Sequence, residues 1–202
     1  MASPKREKLL EVARRLFETE GFHTTGIDRV LAEAGVAKMT LYNNFGSKDG
    51  LIVAVLEQSS QDMIARLEHT IQAASNDPYE QILGVFDAFA MWFSDPEFCG
   101  CMFQAAVAEF QDPNSKPAIA ARGHQIRVAA MFENLCTKAE LPDPQTLSRM
   151  LGMLASGASC TARQIQTREP ADHARQIAEI LLERAGSTGF TPSEAAIANG
   201  SV

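Results

Sequence analysis

The sequence predicts an all-α protein with a three-helix N-terminal head, which contains a helix-turn-helix, and a larger C-terminal helical body, about nine helices in all. Three observations lead to this prediction. Apolar residues recur at helical spacing along most of the chain, and no segment alternates apolar and polar residues as a strand would. Proline-bearing joints such as Asp95-Pro96 and Asp112-Pro113 divide the C-terminal part into stretches of about 10 to 25 residues, which suit single helices.

The first two helices are marked by residues that favour helix ends. Ser3 and Pro4 suit the N-cap and first turn of helix one, and Gly21 suits the residue that ends it. Residues 25–28, Thr-Gly-Ile-Asp, have the form of a capping box at the start of helix two. Gly35 then ends this helix, and a short third helix follows after a tight turn.

Helix three, predicted over residues 37–45, combines one inward apolar side with an outward polar side. At 100° per residue Leu41 faces inward, whereas Tyr42 and Asn43 face away from it. A small, polar and partly cationic face suits the major groove of DNA, which is about 12 Å wide. Ser47 is a suitable N-cap for a long helix four. The residues expected to contact DNA are Thr24, Thr25, Lys38, Met39, Thr40, Tyr42, Asn43 and Lys48.

The charge of the chain is divided unevenly. Residues 1–50 hold eight Lys or Arg and seven Asp or Glu, a formal net charge of +1. Residues 51–202 hold ten Lys or Arg and eighteen Asp or Glu, a formal net charge of −8. This division fits phosphate contact by the head alone, although the charges by themselves fit an ordinary solvated helix face at least as well.

Residues 5–55 resemble the DNA-binding head of the tetracycline-repressor (TetR) family, most specifically in the run TLYNNFGSK, Thr40 to Lys48. The resemblance implies a DNA-binding domain over 4–64 and a ligand-binding and dimerisation domain over 65–186. The Gly/Ser/Ala-rich residues 187–202 are predicted to form a flexible tail. The implied function is that of a homodimeric transcriptional repressor, released from a palindromic DNA operator by a small, largely apolar organic effector.

In the family the dimer is made by the last two long helices, here predicted at about 145–167 and 171–185. The first of these is rich in small residues such as Gly157, which let helix axes approach closely, although a buried helix of a monomer has the same composition. The body also contains aromatic and Met residues at helical spacing, which are ordinarily core. The resemblance raises the expectation that some of them line an effector cavity, namely Phe89, Trp92, Phe103, Phe110, His124 and Met131.

Other functions have weaker signals. Cys99-Gly-Cys101 suggests an alternative, a thiol- or metal-responsive regulator on the same scaffold. A more distant alternative is a catalytic or protein-binding helical domain with a vestigial head. The four histidines are scattered, and no GxSxG, P-loop or metal-ligand spacing is present. We therefore expect no enzyme activity, no cofactor and no metal. With no secretory signal and no apolar run long enough to span a membrane, a cytoplasmic location is expected.

Overall fold

The computed structural model describes residues 4–187, which are helical with no strand, as predicted. Ser3 and residues 188–202 lie outside the described residues, and with them the predicted first N-cap and nearly all of the predicted tail. None of the helices within 4–187 has the length and hydropathy needed to cross a bilayer. In chain order the helices are α1 (Pro4–Glu20), α2 (Ile27–Ala34), α3 (Lys38–Phe45), α4 (Lys48–Ala74), α5 (Pro78–Phe93), α6 (Met102–Glu109), α7 (Lys116–Lys138), α8 (Pro144–Ile165) and α9 (Glu169–Ser187).

The predicted helix ends of the head are mostly confirmed. Gly21, with φ +89°, and Gly35, with φ +64°, end α1 and α2 in the left-handed region that favours glycine. The Ser47 hydroxyl oxygen accepts a hydrogen bond of 3.0 Å from the N–H of Gly50 and so caps α4. These local signals fix the lengths of the short helices and hence the position of the helix-turn-helix.

The capping box predicted for residues 25–28 is wrong. Helix α2 begins at Ile27, and its N-cap, Gly26, makes no side-chain capping bond. The Thr25 hydroxyl donates to the carbonyl of Gly21 at 2.7 Å instead. The side chain therefore turns inward and joins the end of α1 to the start of α2.

Two apolar clusters divide the molecule, and α4 belongs to both. Its buried residues up to Leu56 pack with the head, whereas Leu67 and Ile71 pack with the body. The head cluster is completed by four residues of α6 and α7: Met102, Phe103, Ala106 and Ala121. Because α4 has 27 residues, it spans about 40 Å at 1.5 Å per residue. The long helix thus links the helix-turn-helix to the body, and α6 packs beneath the head.

Candidate nucleic-acid interface and its link to the body

The short helix α3 presents most of its polar face to solvent. Leu41 is fully buried and anchors the helix on the head core, whereas Met39 is 66% exposed and Tyr42 41% exposed. Asn43 is also exposed, and Thr40 is half-buried. A helix with one buried anchor and an exposed opposite face has the geometry that insertion into a major groove requires.

Cations lie at both ends of this face. The Lys38 ammonium is 3.6 Å from the Asp28 carboxylate, and both side chains are largely exposed, so this ion pair is weak. The Lys48 ammonium donates to the carbonyl oxygen of His23 at 3.3 Å, next to the N-terminus of α4. The Arg6 guanidinium lies 5.3 Å from the ring centre of Phe45, at the far end of α3.

Two other arginines of the head are engaged within the protein. Arg15 and Arg29 both bond to Glu33, and Arg29 also pairs with Glu20 at 2.6 Å. Hydrogen bonds from Arg15 and then Arg29 hold the pKa of Glu33 below its ordinary value. These pairs join α1 to α2, so they brace the helix-turn-helix rather than adding charge to the α3 face.

The two threonines before α2 differ in their environment. Thr24 is exposed in the turn that leads to α2, where a phosphate can reach it. Thr25 is 1% exposed, and its hydroxyl is already bonded to main-chain carbonyls. This geometry removes the Thr25 side chain from the predicted interface, because its only donor points into the protein.

The same turn is held by the body. The Glu109 carboxylate, at the end of α6, accepts hydrogen bonds from the main-chain N–H groups of Phe22 at 3.0 Å and His23 at 2.7 Å. A Cβ on Gly21 would lie 2.9 Å from the same carboxylate, so glycine also permits the close approach. The ring of Phe110 packs 4.8 Å from that of His23. We call these contacts the α6 clamp. Phe110 therefore lies at the head–body contact rather than in a body cavity.

Two clefts flank Trp92 on the body side of the head. The larger, of about 400 Å³, lies between α1, α4, the loop 94–101 and the start of α6, and Trp92 and Phe103 line it. The smaller, of about 330 Å³, is lined by Phe89 and also by Trp92. Three of the six predicted pocket residues thus line clefts around one tryptophan.

The remaining predicted pocket residues lie elsewhere. His124 is buried against the ring of Phe103, with the ring centres 3.6 Å apart. Its Nδ1 is 3.0 Å from the Ser60 hydroxyl. Met131 packs in the body core. The six residues therefore do not line one cavity, because helical spacing identifies apolar faces without showing which of them leave space between helices.

The cysteine pair has little of the character of a reactive thiol. Burial, together with the nearby Glu18 carboxylate, raises the pKa of Cys99, and burial raises the pKa of Cys101. A raised pKa keeps a thiol protonated and therefore weakly nucleophilic. Among residues 4–187 no cluster of three or more His, Cys, Asp or Glu side chains is arranged to hold a metal ion. The thiol- or metal-responsive alternative stays a prediction.

One face of α8 and α9 leaves large apolar side chains in solvent. Met153 is 74% exposed and Ile177 50% exposed, and they line a groove of about 310 Å³ between the two helices. Leu147 and Leu151, on the opposite side of α8, are fully buried in the body. Gly157 lies in the groove with nothing within 4 Å of the position of a Cβ. The groove is open to a partner of matching shape.

The fold and the exposed face of α3 define a DNA-binding protein of the helix-turn-helix class. Residues 9–55 match the family model described as bacterial regulatory proteins, tetR family. SCO4454, a TetR-family transcriptional regulator from Streptomyces coelicolor, is 30% identical over 91% of this chain and 96% of that one, with a TM-score of 0.81. The chain therefore belongs to the TetR family of transcriptional regulators, which bind DNA operators and form dimers.

Two further relatives are similar over different extents. The HTH-type transcriptional regulator UidR of Escherichia coli K12 is 32% identical over 71 residues, which is 35% of this chain and 36% of that protein. The match thus spans about a third of that relative's length. The reduced form of Escherichia coli NemR is 24% identical, covers 88% of this chain and 97% of its own, and has a TM-score of 0.79. At this identity the likeness concerns the fold alone.

Proposed function

We propose that this protein is a homodimeric repressor that binds a palindromic DNA operator and is released from it by a small organic effector. The observation that carries the DNA-binding part is the exposed face of α3, anchored by the buried Leu41 and flanked by Lys38 and Lys48. The proposed domains are the DNA-binding head, 4–64, and the ligand-binding and dimerisation body, 65–186. The change of cluster along α4, between Leu56 and Leu67, supports this division.

Each contact residue has a proposed role in the complex. Met39 and Asn43 face the base edges, because they lie on the outer side of α3. Lys38, Thr40 and Tyr42 reach phosphates or base edges beside them. Lys48, with the N-terminal N–H groups of α4, and Thr24 hold phosphates on the flank. Thr25 acts only by supporting the turn.

The α8–α9 groove is the proposed dimer interface. Large apolar side chains such as Met153 and Ile177 are costly to leave in water and are typical of helix–helix contacts between subunits. A twofold dimer would place two α3 helices on one side of the assembly. Two heads must lie about 34–36 Å apart to occupy successive major grooves, so the dimer geometry would set the operator spacing.

The first experiment selects an operator from random duplex DNA with the full-length protein and measures its affinity against salt concentration. Lys48→Ala should weaken binding to selected and random duplexes alike and reduce the slope of log K against log salt by roughly one. Asn43→Ala should instead change which sequence is selected. Lys138→Ala, at the end of α7, removes the same charge outside the interface and serves as control.

The outcome that contradicts the proposed interface is specific. If a double variant, Tyr42→Phe with Lys48→Ala, binds the selected operator as tightly as the wild type, α3 and the start of α4 do not contact DNA. The expectations that the protein is cytoplasmic and lacks enzyme activity stay predictions. An effector site is proposed at the clefts around Trp92, and its chemistry is argued next.

A further inference from the structure

The larger cleft beside Trp92 lies between the head and the body. Arg14 and Glu18 of α1 form its head wall, and α4 contributes Ser59, Asp62, Met63 and Arg66. The body wall runs from Trp92 through the loop 94–101 to Phe103. A molecule in this cleft would touch the head helix, the long helix α4 and the body at once. A site enclosed within the body would contact none of the head residues.

The charges of the lining favour a cation. Two arginines and four carboxylates, Glu18, Asp62, Asp95 and Glu97, line the cleft, a formal net charge of −2. Arg14 is already paired with Glu18 at 3.3 Å. Burial raises the pKa of Glu18, whereas Arg14 and Arg66 act in the opposite direction. Asp95 and Glu97 are exposed at the mouth, where they attract a positive ligand.

The apolar lining favours an aromatic ligand of that charge. Trp92 is half-buried, lines the cleft and packs at a steep angle against Phe98, with ring centres 5.1 Å apart. An indole face attracts cations more strongly than other side-chain rings do. Ser59 of α4 also lines the cleft.

We propose that this cleft between α1, α4 and the loop 94–101 binds an organic cation with a flat aromatic body, and that this ion is the effector that lowers affinity for DNA. The effector role of the cation rests on the proposed function, whereas its binding to the cleft does not. This amphipathic cation differs from the largely apolar effector that the sequence led us to expect. We expect the cleft to be coupled to the head because Arg14 and Glu18 belong to α1, and the turn that follows α1 is held by the α6 clamp.

The test is titration calorimetry on the full-length protein with two probes of the same ring, (2-naphthylmethyl)trimethylammonium and 2-naphthylacetate. The cation should bind more tightly. A double variant, Asp95→Asn with Glu97→Gln, should weaken it by about tenfold, whereas Arg66→Gln should strengthen it. Asn at 95 keeps the acceptor oxygen that bonds the N–H of Glu97 at 2.9 Å, so the loop geometry is retained.

A matched control separates the cleft from general electrostatics. The control is the double variant Glu57→Gln with Asp112→Asn, which removes the same charge at exposed positions outside the cleft. Asp112 lies in an Asp-Pro turn like that of Asp95, and its carboxylate accepts a hydrogen bond of 2.9 Å from the N–H of Asn114. This control should leave cation affinity unchanged. Tighter binding of naphthylacetate, or a cation affinity that the Asp95/Glu97 variant does not alter, would overturn the proposal and leave Arg66 as the recognition group for an anion.

A second arm tests the effector role with the selected operator duplex. The cation should lower the wild type's affinity for the duplex and have no such effect on the Asp95/Glu97 variant. Cation binding without any change in DNA affinity overturns the effector half. Failure of the wild type to bind any duplex overturns the proposed function, and the calorimetric result then stands on its own. The two failures are therefore distinguishable.

Discussion

His124 is a buried histidine held in its neutral form. Arg127 donates to the Ser60 hydroxyl at 3.1 Å, which leaves that hydroxyl free to donate to Nδ1 of His124, 3.0 Å away. Burial, and then the charge of Arg127, lower the pKa of His124 from 6.5 to about 4. Phe103 stacks on the same ring, so three helices, α4, α6 and α7, meet at one uncharged imidazole.

Protonation of this histidine should therefore destabilise the fold. Below pH 6.5 the unfolded chain takes up a proton that the folded chain does not, until pH falls to about 4. The contribution of the neutral His124 to the free energy of unfolding is constant above pH 6.5. It falls by on the order of 3 kcal/mol as the pH decreases from 6.5 to about 4. Urea unfolding of the wild type and of His124→Gln should show the wild type losing stability relative to the variant as pH decreases.

A matched histidine gives the control for that measurement. His69 is exposed on α4, so His69→Gln should follow the wild type at every pH. A difference between wild type and His124→Gln that is the same at pH 7 and pH 4 would mean that the buried imidazole is not the titrating group.

At the scale of the elements, the α6 clamp is the contact that ties the body to the turn before α2. Glu109→Gln replaces one of its two acceptor oxygens by an NH₂ group facing a main-chain N–H, and should lower the free energy of unfolding by about 2 kcal/mol. Glu109→Ala should cost at least as much. Urea unfolding monitored by Trp92 measures both, with the exposed Glu57→Gln as control. Stability equal to that of the wild type would show that the clamp contributes nothing.

The elements also show what local sequence signals determine. Gly21, Gly35 and Ser47 set helix ends through main-chain conformation or a bond to a residue three positions away, so these ends were predictable. Thr25 fitted a capping box equally well, and only the position of the Gly21 carbonyl decided its bond. In the α6 clamp, Glu109 bonds to Phe22 and His23, which lie 87 and 86 positions earlier in the chain. The cleft beside Trp92 likewise depends on how α1, α4 and α5 pack together. No pattern within one helix carries that information.

For the whole molecule, the α8–α9 groove predicts a dimer that one substitution should break. Gly157 has open space at its Cβ position within the protomer, so Gly157→Arg should leave the protomer folded but place a charged side chain in the interface. Analytical ultracentrifugation should show monomers, and affinity for the selected operator should fall. Ala73→Arg, at an exposed position near the end of α4, is the control and should stay dimeric. A monomeric variant with normal operator affinity would contradict the two-headed arrangement.

The head core is completed by side chains from outside the head, and this bears on how the chain unfolds. Met102, Phe103, Ala106 and Ala121 come from α6 and α7, so a fragment ending at residue 64 would expose the faces of α1 and α4 that they cover. The DNA-binding part should therefore not be a transferable module. Heating should give one calorimetric transition whose van't Hoff and calorimetric enthalpies agree, after allowance for dissociation of the dimer. A regulator that melts as one unit cannot lose its ligand site to thermal damage and still occupy DNA.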